Sequence, residues 1–270
     1  MFALNERLSE YAYGFGATTE ALGLLRSVGT HAVPFLPNLI HENEVGFDVS
    51  FSAPGTMVML QFKLGHQLGR FVRKPATQTP PDVARPFWRF EVNVDHQQFI
   101  RLRSWETLGA EVYYVAPRFA DWQAYERHFL RGTILEHSLL MTPDDIHNGA
   151  SGAPGKHRIV YDRTSRFVCS EARQAPERPI RDVVEKIRER RESGPSLGDV
   201  LSRMKEQATD APRRRPTRAT LTVREEASGR LRARARSAIE GEAAVFAAEA
   251  WAEGVQVMFV GEMLGSHAKA

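Results

Sequence analysis

The chain holds a single cysteine, Cys169, among 270 residues. That excludes an internal disulfide and a cysteine zinc cluster, and it fits a reducing cytoplasm. No apolar run is long enough to span a bilayer, so no membrane partner is expected. The amino terminus, Met1-Phe2-Ala3-Leu4-Asn5-Glu6-Arg7, lacks the basic-then-apolar layout of a secretory signal. The histidines form no close metal-ligand pair, which argues against zinc. The phosphate loop Gly-x-x-x-x-Gly-Lys-Ser/Thr is missing, which argues against ATP hydrolysis, and so is the Gly-x-Ser-x-Gly nucleophile elbow. No repeat of about 20–50 residues recurs. Charge is nearly balanced, 36 Lys+Arg against 33 Asp+Glu, so net charge alone does not argue for nucleic acid.

With 42% hydrophobic residues, the chain can bury a substantial core. Residues 5–28 carry apolar side chains at near-helical spacing, with Gly14 and Gly16 expected to break the run and Thr18 or Thr19 to cap a second helix. Phe87-Trp88-Arg89-Phe90-Glu91-Val92 alternates as a strand does. Asp95 is placed to cap a helix over 96–108, ended by Gly109. Glu111-Val112-Tyr113-Tyr114-Val115-Ala116-Pro117 is the strongest strand signal. A helix over about 120–135, a Gly/Pro/Asn/Asp loop over 143–155 and a hairpin over 157–170 follow. Further on come charged helices at 180–191 and 197–207, a Pro/Arg-rich linker at 209–218, a hairpin at 219–235, a helix at 238–252 and a strand at 255–260. The expected class is α/β (α+β): a central mixed sheet of four to five strands flanked by helices, with an additional C-terminal α/β region. The expected division is a core domain over 1–175, charged helices and linker over 176–218, and a small hairpin–helix–strand element over 219–270. Trp88, Trp105 and Trp122 read as packing residues, as do Tyr113, Tyr114 and Phe119, and Cys169 as a buried strand residue.

The chemistry concentrates in one stretch. Residues 46–51, Gly-Phe-Asp-Val-Ser-Phe, precede a Ser-Ala-Pro-Gly-Thr turn and then 57–63, Met-Val-Met-Leu-Gln-Phe-Lys. Read as a hairpin, alternation places Asp48 near Gln61 and Lys63 on one face, away from Val58, Leu60 and Phe62. A carboxylate oxygen from Asp48, an amide oxygen from Gln61 and the Phe62 backbone carbonyl make an oxygen-rich site suited to Mg²⁺ or Mn²⁺. Lys63 beside it orients or deprotonates a water and neutralises phosphate charge.

This pattern resembles the core motif of the PD-(D/E)xK nuclease superfamily, the restriction-endonuclease-like fold, in a Gln-x-Lys variant of an uncharacterised bacterial branch. The resemblance covers roughly residues 15–120 and includes the following helix and strand, with Gln97 or Gln98 at the helix start facing the active edge. It implies a Mg²⁺-dependent DNA nuclease, in a cytoplasmic setting such as defence or repair, acting as a homodimer or with a partner protein. Family members often carry an auxiliary acid on the preceding helix. Glu20 occupies that place, and Glu44, just before the first strand, is an equal candidate. The family usually has an acid where Gln61 stands, so an inactive nuclease-fold subunit that binds nucleic acid or a protein partner is the alternative. Arg213, Arg214, Arg215 and Arg218 are the candidate phosphate contacts. Arg230, Arg232, Arg234 and Arg236 extend that basic region, on one face if the segment is a strand and scattered if it is a helix. A third class is a protein-interacting module docking through the helices at 180–207.

Overall fold

A computed structural model describes residues 8–35, 49–72, 81–169, 173–176, 178–210 and 218–262. It has an α/β fold built on two five-stranded sheets. The first sheet has the order β1 (His31–Pro34), β10 (Val255–Gly261), β2 (Thr56–Phe62), β5 (Glu111–Pro117) and β6 (Ser138–Met141). β1 and β10 pair antiparallel, as do β5 and β6, with Ala32 opposite Val260 and Tyr114 opposite Met141. Every residue of β2, β5 and β10 is buried, which accounts for their continuous apolar runs. The second sheet has the order β3 (His66–Leu68), β4 (Phe87–Asn93), β7 (Lys156–Tyr161), β8 (Arg166–Val168) and β9 (Arg173–Gln174), antiparallel throughout. The strand expected in the central sheet at 87–92 thus belongs to the second sheet instead. Its core includes Phe87, Val160 and the buried Cys169.

Residues 46–51 and 57–63 do not form a hairpin among the described residues. β2 is flanked by β10 and β5 on its two edges, and residues 46–48 of the expected first strand lie outside the described residues. Ser50 instead donates its N–H to the Glu262 carbonyl at 2.7 Å. Gly55 is required here because a Cβ would stand 2.5 Å from the Val260 carbonyl oxygen.

The chain forms two compact units, neither continuous in sequence: residues 1–24, 60–106 and 112–184, and residues 25–59, 107–111 and 185–270. In the first, α1 (Glu10–Ser27) runs unbroken through both glycines expected to interrupt it. A Cβ at Gly14 would meet the Phe62 ring at 2.7 Å, and one at Gly16 would meet Ile134 at 2.5 Å and the Tyr125 hydroxyl at 2.7 Å. These glycines permit close approach rather than a break. Thr19 caps nothing, its hydroxyl donating to the Phe15 carbonyl within the helix. α2 (Gln97–Thr107) packs with Phe99 stacked on Tyr114 at 6.2 Å. Asp95 does not cap it, because its carboxylate accepts the Gly155 N–H at 2.8 Å. α3 (Trp122–Arg131) starts at the Asp121 cap and ends at Gly132 in the left-handed conformation. α4 (Pro143–Gly149) occupies part of the stretch expected to be loop, closed by a capping box between Thr142 and Asp145.

In the second unit Glu111, 1% exposed, pairs with Lys186 at 2.9 Å and Arg190 at 2.5 Å, both from α5 (Ile180–Ser193). Glu242 of α8 (Ala238–Ala252) joins Lys205 of α6 (Leu197–Asp210) at 2.6 Å and Arg232 at 2.7 Å. Arg232 lies on α7 (Arg218–Arg234), a helix where a hairpin was expected. Good helix formers such as Arg, Leu, Glu and Ala outweigh Gly229, which stands in open space.

Candidate functional site at the end of the second strand

The fully buried strand β2 ends on Gln61 and Phe62, and Lys63 follows it. Phe62 turns its ring toward α1, edge-on to Tyr13 at 5.8 Å. Gln61 is 4% exposed and meets α2, where its Oε1 accepts from Gln98 Nε2 at 2.7 Å. Its own Nε2 donates to the Phe62 carbonyl at 3.3 Å. Lys63 continues the pairing of the strand, its N–H donating to the Val115 carbonyl at 2.9 Å. Its half-buried side chain makes no hydrogen bond or ion pair among the described residues. The expectation that a glutamine at the start of α2 faces this edge is met by Gln98. Its neighbour Gln97 carries a buried Oε1 with no hydrogen-bond partner among the described residues.

Glu10, at the first turn of α1, is the carboxylate that feels Lys63. Burial pushes its carboxyl above the ordinary range, and the Lys63 charge draws it partly back. Sequence reasoning missed Glu10 because the helix was placed from residue 5 and Glu20 drew attention. Glu20 is not at this edge: its Oε2 accepts the Ile134 N–H at 2.5 Å and its Oε1 the Leu135 N–H at 3.2 Å. It lies about 15 Å farther along the helix than Glu10. Burial raises its carboxyl too, against the pull of those two N–H groups.

Asp48 and Glu44 lie outside the described residues, as do Arg213, Arg214 and Arg215. Arg218 opens α7, and its side chain is not described. Because α7 is helical, Arg230, Arg232 and Arg234 do not share one face, and Arg236 lies beyond the end of that helix. Arg232 and Arg236 are engaged by Glu242 and Glu240. No group of three or more His, Cys, Asp or Glu side chains is arranged to hold a metal among the described residues. Nor is any described helix long and apolar enough to cross a membrane.

The oxygens that are described, Gln61 Oε1, the Phe62 carbonyl, the orphaned Gln97 Oε1 and the Glu10 carboxyl, are hard donors of the type Mg²⁺ prefers. Two of them are already engaged within the Gln61–Gln98–Phe62 network. Compared with known proteins, the chain matches no family model, no curated protein and no solved structure.

Proposed function

We propose that this chain is a divalent-metal-dependent phosphodiesterase acting on DNA, with its reacting centre at the end of β2. One observation carries the reading. The end of the buried strand β2 presents Gln61, held by Gln98, and Lys63 follows it two residues on, its side chain making no hydrogen bond or ion pair among the described residues and its charge acting on the Glu10 carboxyl. Gln61 and the Phe62 carbonyl would hold Mg²⁺ or Mn²⁺, which would supply charge stabilisation to a phosphate; the carboxylate ligand expected from sequence, Asp48, lies outside the described residues. Lys63 orients the attacking water and offsets the charge developing on phosphate oxygens. The buried position of Gln61 and its two hydrogen bonds fix its amide before substrate arrives, so little reorganisation accompanies reaction. The reducing cytoplasm suits the lone, buried Cys169.

A second reading keeps DNA binding without hydrolysis, alone or with a partner protein. The neutral Gln61, satisfied at both ends of its amide by Gln98 and Phe62, favours it. Incubation of duplex DNA, single-stranded DNA and RNA with Mg²⁺ or Mn²⁺ distinguishes the two. The first reading expects cleavage by the wild type and loss in folded Asp48→Ala and Lys63→Ala. Salt-sensitive binding with no cleavage in either metal overturns it in favour of the second.

A further inference from the structure

Strand register gathers positive charge on one face of the second sheet. Along β4, Trp88, Phe90 and Val92 are buried on one side, and alternation sends Arg89 and Glu91 to the other with Phe87. β7 continues that second face with Lys156, Arg158 and Val160, and β3 with His66. His66 stands opposite Arg89, Arg89 opposite Val160, and Glu91 opposite Arg158. Arg89 and Arg158 are therefore diagonal neighbours on adjacent strands, with Cα atoms about 7–8 Å apart. Phe87 and Val160 close one end of the face as a buried cluster with Cys169. The other end is open: Glu91, Lys156 and His66 are exposed, and Arg89 and Arg158 are half-buried.

The cations at the open end are held in place without being neutralised there. Arg89 makes no hydrogen bond or ion pair among the described residues, and its Nε is buried without an acceptor. Lys156 and His66 likewise make no ion pair among the described residues. The Arg158 guanidinium lies over the Phe71 ring, 5.4 Å from its centroid, and its Nη1 donates to the Val72 carbonyl at 2.9 Å. Glu91 faces Arg158 in the register, yet it forms no ion pair with either arginine among the described residues.

Such a surface suits an extended polyanion. Phe71 and Phe167 are packed against the Phe87–Val160 cluster, so the face offers charge and no free ring for a base to stack on. Contact through spaced cations alone is the mode by which proteins hold a nucleic-acid backbone without reading its sequence. The face is also tied to the proposed reacting centre. β3, its edge strand, begins three residues after Lys63, and Gly65 between them packs so closely that a Cβ would strike the Tyr161 hydroxyl.

We propose that this face of the second sheet is a backbone-binding surface for nucleic acid, with Arg89, Arg158 and Lys156 contacting phosphates irrespective of sequence. The inference rests on the nucleic-acid reading above and supplies its binding surface.

The test is fluorescence anisotropy of the full-length chain with a labelled blunt duplex of about 20 base pairs, in EDTA, where cleavage plays no part. Arg89→Ala with Lys156→Ala weakens binding about tenfold and lowers the slope of log affinity against log salt by about two. Glu91→Gln tightens binding, a change that loss of structure does not produce. Arg127→Ala with Arg131→Ala removes the same charge from α3 and binds like the wild type. Binding that follows these variants with no cleavage under Mg²⁺ supports the surface and removes only the hydrolytic reading. No binding by the wild type, equal weakening by the two double variants, or an unaltered salt slope overturns the proposal. So does polyglutamate bound more tightly than the duplex, since the face then serves an acidic polypeptide.

Discussion

Buried acids in this protein are placed by what they accept. Asp162 is 2% exposed, and burial pushes its carboxyl up. Hydrogen bonds from the N–H groups of Ser165, Thr164 and Ala84 outweigh that and leave it below its ordinary value. Asp162→Ala strands those donors and should destabilise the fold by about 2–4 kcal/mol in urea unfolding. Glu242 is lowered from 4.5 to about 2, chiefly by its hydrogen bond to Arg232. A depressed folded-state value means that its stabilisation is complete above 4.5 and is lost as the pH falls toward 2. Glu242→Gln should therefore flatten the acid limb of the stability profile in that window and leave neutral pH least dependent on protonation. An unchanged limb would contradict this. At this scale the Gln61–Gln98 contact was legible, because alternation and a helix start both aimed at one edge. Glu10 and Trp122 were not legible: the first needed the true start of α1, and Trp122, read as a packing residue but 51% exposed, has the same sequence signature as a buried tryptophan.

Helix α1 shows how elements depend on contacts that propensity does not contain. Glycine inside a helix ordinarily weakens it relative to alanine. Gly23 has nothing within 4 Å of a Cβ position, so Gly23→Ala should stabilise by about 0.5–1 kcal/mol. Gly14→Ala should destabilise by about 1–3 kcal/mol, because its Cβ would press on Phe62, which is edge-on to Tyr13. Opposite signs in thermal unfolding check the packing of α1 against β2, and equal signs would contradict it. Elements with strong local signals were readable. β5 lies between Gly109 and Pro117, and α8 follows the Ser237 cap. The expected hairpin does not appear among the described residues because strand pairing is not local: β10, from the far end of the chain, takes one edge of β2 and β5 takes the other. The helix α7 was hidden by alternating arginines, which mimic a strand period. The fold of α4 was signalled by Thr142-Pro143 with Asp145, a capping box inside apparent loop composition.

For the whole molecule, the α/β class and a central sheet of four to five strands were legible, whereas the second sheet was not. Its strands are short, and β3 and β9 lack a hydrophobic period long enough to read. The basic carboxy-terminal region is less available to phosphate than its composition suggests, since Arg232 and Arg236 are committed to Glu242 and Glu240. The central claim concerns β2, and single-turnover cleavage of end-labelled duplex and single-stranded DNA tests it most directly. With Mg²⁺, the wild type should cleave and Lys63→Met should be slower by at least about 100-fold at an unchanged melting temperature. Equal rates in the two proteins, or no cleavage by the wild type, would contradict the account.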